Sequence, residues 1–67
     1  MSEERLIRYI CVFKGHRGSR ELGLTQFQGG WALCPDILGN NHEWLDIGEA
    51  AIADAVQQWR EITGLGR

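Results

Sequence analysis

The feature that most constrains this chain is a change in the spacing of its apolar residues. In the first half they fall in short β-branched and aromatic runs or alternate as in a half-buried β-strand. After residue 46 they follow the 3.6-residue period of an α-helix. Ile52, Ala55, Val56, Trp59 and Ile62 recur at helical spacing, while Asp54, Gln57, Gln58 and Glu61 fall largely on the other side. Asp46 with Glu49 three residues on reads as an N-cap and capping box. Gly64 supplies the left-handed stop, with Leu65 as its apolar companion.

The first half reads as strands. Residues 5–13 are rich in β-branched and aromatic side chains and apolar on both faces, which suits a central strand. Residues 14–20 form a polar, glycine-containing loop, and residues 21–28 alternate as a half-buried strand. Gly29-Gly30 marks a tight turn, and Trp31–Cys34 is a third short strand ended by Pro35. Residues 35–45 read as a loop carrying Ile37, Leu38 and Trp44, apolar groups that need cover from the domain or from a partner. The expected fold is α+β: a three-stranded antiparallel meander followed by one amphipathic C-terminal helix packed on the sheet, in a single domain over residues 1–67.

Size limits what such a domain can do. A chain of 67 residues buries only about 60% of its unfolded surface and sits near the lower limit for folding without a staple. It leaves little room for a water-excluding pocket. Cys11 or Cys34 beside a histidine oriented by Asp36, Glu43 or Asp46 could form a nucleophile. No nucleophile elbow, phosphate-binding glycine loop or paired-carboxylate motif accompanies them. The reading is therefore non-enzymatic. The acidic N-terminus lacks a signal-peptide core, and no apolar run approaches the ~20 residues of a membrane helix, so a cytoplasmic location is expected, where a Cys11–Cys34 disulfide would be unusual.

Charge is segregated. The net charge is −2, yet residues 21–59 contain six Asp and Glu and no Lys or Arg, while residues 1–20 are net basic. An acidic body suits a basic protein partner. The leading expectation is thus a small adaptor, inhibitor or regulatory subunit that needs no metal or cofactor. It would bind a larger cytoplasmic protein through Glu43, Glu49 and Asp54, with Trp44 as anchor, Ile37 and Leu38 beside it, and Arg17 and Arg20 contributing from the basic loop. A homodimer through an exposed strand edge is the other protein contact the sequence allows.

The alternative is a zinc-stapled mini-domain contacting RNA or DNA through residues 14–20. Cys11, His16, Cys34 and His42 are ligand types zinc prefers, and two of each complete a tetrahedron. Each Cys ends a predicted strand and each His lies in the loop that follows. The spacings, Cys-x4-His and Cys-x7-His, contain no Cys-x2-Cys knuckle. Lys14, His16, Arg17 and Arg20 would face phosphates, with Tyr9, Phe13 or Phe27 available to stack on bases. A pI near 5.5 opposes that footprint.

Overall fold

A computed structural model describes residues 5–18 and 21–64. These residues form an α+β fold with four strands and one helix: β1 (Ile7–Cys11), β2 (Gly23–Phe27), β3 (Gly30–Cys34), β4 (Trp44–Ala50) and α1 (Ile52–Thr63). A short 3-10 turn at Lys14–His16 interrupts the connection from β1 to β2.

The strand order is β2-β3-β1-β4. β2 and β3 form the expected antiparallel hairpin, joined by a two-residue turn at Gln28-Gly29. The rest corrects the meander. β1 pairs parallel with β3, Ile10 lying opposite Leu33. β4 adds antiparallel to the other side of β1, with Cys11 opposite Trp44. The sheet is therefore mixed and four-stranded. The physical reason is burial: β1 is apolar on both faces and takes the centre, and β2, the more polar strand, is displaced to an edge.

The fourth strand lies where the sequence suggests the end of a loop and a helix cap. Asp46 is a β4 residue whose carboxylate accepts the Gly48 N–H at 2.8 Å and lies 3.5 Å from the Arg8 guanidinium. The helix N-cap is Ala51, which has no side-chain oxygen, and Glu49 is an exposed strand residue. Strand alternation is hidden in the sequence by an irregularity: Ile7 pairs with Ala50 but Tyr9 with Asp46, so extra residues of β4 bulge between them. Gly48 sits in that bulge with φ of +76°. Gly48→Ala should destabilise the domain by about 1–2 kcal/mol, because a Cβ is strained at this φ even with open space around it. A denaturation midpoint equal to that of the parent would show that the bulge relaxes.

The amphipathic helix is present with its predicted Gly64 stop, but it starts at Ile52, after the end of β4 and not at Asp46. Ala55 and Trp59 are buried one turn apart, and Val56 packs beside them, while Ile52 and Ile62 are 42% and 47% exposed. Gly64, at φ +76°, ends it by donating its N–H to the Arg60 carbonyl. Leu65 lies outside the described residues. The helix closes one sheet face over Ile7, Ile10 and Leu33, with Leu22, Leu24, Trp31 and Ile47 around them. The Trp59 indole N–H also donates to the Cys11 carbonyl at 2.9 Å. By strand alternation, Tyr9, Cys11, Ala32 and Cys34 point to the opposite face. Among the described residues, no helix is long and apolar enough to cross a membrane.

Candidate metal centre

Parallel pairing of β1 with β3 creates the site. Two parallel neighbours end at the same edge of the sheet, so their last residues, Cys11 and Cys34, lie side by side on the face away from the helix. In a meander, β2 would have stood between them, at a spacing of roughly 10 Å for two strand intervals. Both long connections leave from that same edge, and each brings back one histidine. His16 closes the 3-10 turn and His42 closes the loop before β4.

One ligand atom from each of Cys11, His16, Cys34 and His42 lies within 4.8 Å of all the others. His16 Nδ1 is 3.3 Å from both sulfurs; His42 Nδ1 is 3.3 Å from Cys34 Sγ and 3.9 Å from Cys11 Sγ. A tetrahedron with zinc–sulfur bonds of about 2.3 Å and zinc–nitrogen bonds of about 2.0–2.1 Å has edges of roughly 3.3–3.8 Å. The four donors therefore already outline a coordination shell. Both cysteines are free and buried, and His16 is buried as well.

The surroundings fix which histidine nitrogen faces inward. The outer nitrogen of His42, Nε2, meets the Gly39 carbonyl at 3.0 Å; as the N–H donor there, it leaves Nδ1 free to ligate. The outer nitrogen of His16 lies 3.7 Å from an Asp36 carboxylate oxygen. A carbonyl or carboxylate behind each imidazole is the usual support of a histidine ligand. The Asp36 backbone N–H donates to Cys34 Sγ at 3.3 Å, which favours a thiolate. Burial acts the other way and is stronger: with the neighbouring Cys11 thiol, it pushes the Cys34 thiol up from 9.0 to about 12. An isolated thiol here holds its proton, and only a cation at the centre of the cluster would make the thiolate the stable form.

Three further residues shape the site. Phe13 packs edge-on against His16, with ring centres 4.9 Å apart, and Trp44 stacks on His42 at 4.9 Å. Gly39 is required by proximity: a Cβ there would stand 2.8 Å from both His16 Nε2 and an Asp36 oxygen. Gly39→Ala should push His16 and Asp36 apart and weaken metal retention by about 10-fold or more, as loss of outer support typically does. A competition titration against a chromophoric chelator reads this directly.

The expected partner-binding residues come from the 35–43 loop, β4, the helix and the segment after the 3-10 turn. Trp44 is half-buried against His42, and Glu43, Glu49 and Asp54 are exposed. Ile37 is 45% and Leu38 is 92% exposed, so the 35–43 loop does present apolar surface. The Arg17 guanidinium donates to the Val12 carbonyl at 3.3 Å, and Arg20 lies outside the described residues. Asp36 is one of the three carboxylates the sequence offers to orient a histidine, whereas Phe13 and Gly39 carry no motif signal as support for the cluster. Comparison with known proteins adds no assignment: no family model, curated protein or solved structure matches this chain.

Proposed function

We propose that this chain is a metal-stapled, non-catalytic binding module, held together by one zinc ion on Cys11, His16, Cys34 and His42. The observation that carries this reading is the convergence of two thiols and two imidazoles within 4.8 Å, beside a small buried core. Four protein donors would fill a tetrahedron. That is the pattern of structural zinc, whereas catalytic zinc keeps one position open for water or substrate.

The staple leaves a binding role for the exposed surface. Acidic residues along and before β4, with Ile37 and Leu38 near them in sequence, support a basic protein partner in the cytoplasm. The nucleic-acid reading loses some of its donors. His16 is buried in the cluster, and Arg17 is engaged with the backbone.

Native mass spectrometry tests the metal. Purified protein should carry one zinc ion per chain, with two thiol protons lost. Cys34→Ser together with His42→Ala should abolish retention. Stoichiometric zinc on that double variant, or a folded wild-type chain that takes up none, would overturn the assignment.

A further inference from the structure

Beside the metal centre the helix-free face opens into a cleft of about 230 Å³, lined by Tyr9, Phe27, Gln28, Gly29 and Trp44. The rings meet at steep angles. Phe27 stands edge-on to Trp44 at 5.0 Å and 77°, and to Tyr9 at 6.4 Å and 66°. Phe27 and Trp44 belong to opposite edge strands. Between them on this face β3 offers only small side groups, Gly30 opposite Phe27 and then Ala32, and β1 contributes Tyr9 and Cys11. Trp44 is braced from behind by His42, so one wall of the cleft is tied to the metal centre.

We propose that this cleft receives an arginine side chain from a basic peptide segment of a protein partner; the inference rests on the metal-stapled module described above. Aromatic faces attract cations through their quadrupole, tryptophan most strongly. The chain displays the same mode internally: the Arg5 guanidinium sits 4.7 Å from the Trp31 ring centre and that of Arg8 5.9 Å from Tyr9. No lining residue is charged, so the cleft offers no internal salt bridge in competition. Charge complementarity selects the peptide. Glu43, Asp46 and Glu49 are exposed along and just before β4, which forms one wall, and residues 21–59 contain no Lys or Arg. A nucleobase could stack on the same rings, but its phosphates would meet these carboxylates. The Arg8–Asp46 contact is long, at 3.5 Å, and half-exposed, so an incoming guanidinium can exchange with it.

The test uses the full zinc-loaded chain, with the metal content of every sample measured by native mass spectrometry. Acetyl-Gly-Gly-Arg-Gly-Gly-amide is titrated against its citrulline counterpart, which is neutral and nearly isosteric. Indole and aromatic resonances are followed by NMR. The arginine peptide should shift Trp44, Tyr9 and Phe27 and bind at least 10-fold more tightly than the citrulline peptide. Phe27→Leu, at an exposed position, should weaken binding at least 5-fold while keeping zinc and the amide spectrum. Equal binding of the two peptides, shifts confined to other residues, no binding up to millimolar concentration, or preferential capture of oligouridylate by the same rings would each overturn the cleft assignment. A folded chain without zinc that still binds the arginine peptide would instead sink the metal reading and leave the cleft standing.

Discussion

Stripping the metal with a high-affinity chelator should unfold this domain, and returning zinc should refold it. A structural zinc site contributes an apparent binding free energy of about 10–16 kcal/mol near neutral pH. A core of this size supplies only about 3–5 kcal/mol. The buried cluster of Ile7, Ile10, Leu33, Ala55 and Trp59 is small, and two long connections end at the metal centre. Circular dichroism during chelation should show cooperative loss of the sheet and helix signals together. If the spectrum persists after mass spectrometry shows that the ion has gone, the ion is not the staple.

The second large effect is expected at Trp59. It is only 3% exposed, fills the centre of the helix–sheet interface and bonds the Cys11 carbonyl. Trp59→Ala should cost about 3–5 kcal/mol, comparable with everything the core supplies without metal. Trp59→Phe keeps much of the ring but orphans the carbonyl, and should cost about 1–3 kcal/mol. Urea denaturation of the zinc-loaded proteins separates the two. A loss below 1 kcal/mol for Trp59→Ala would mean that the helix is peripheral and the metal centre alone defines the fold.

The helix was legible because Ile52, Ala55, Val56 and Trp59 follow one period from end to end and Gly64 stops them. Strands β1 to β3 were legible from their β-branched and alternating residues. β4 was not, because its bulge at Gly48 breaks the alternation and Asp46 and Glu49 imitate a capping box. Missing β4 also concealed the parallel pairing, since a three-strand chain with one hairpin reads most simply as a meander. The four candidate ligands were recognisable by type, and their positions at strand ends and in the following loops were as expected. Their convergence was not legible from spacing: the fold assembles the cluster through strand order, where a zinc knuckle would have announced itself in the sequence. The cleft had weaker signals still, because Tyr9, Phe27 and Trp44 come from three strands that only the strand order brings together.

If the proposed zinc is the staple, the parallel pairing would also set an order of events during folding. The segment before β2 offers one sulfur and one nitrogen, and the segment after β2 offers the same. Neither has the donors to hold zinc firmly, so the ion cannot act as a seed for either loop. It can lock only after two sequence-distant strands have met, a slow step governed by loop closure. On the proposed zinc reading the metal would act as a late proofreader: a chain that pairs its strands in another order would never present four donors together, and would be left without its clasp.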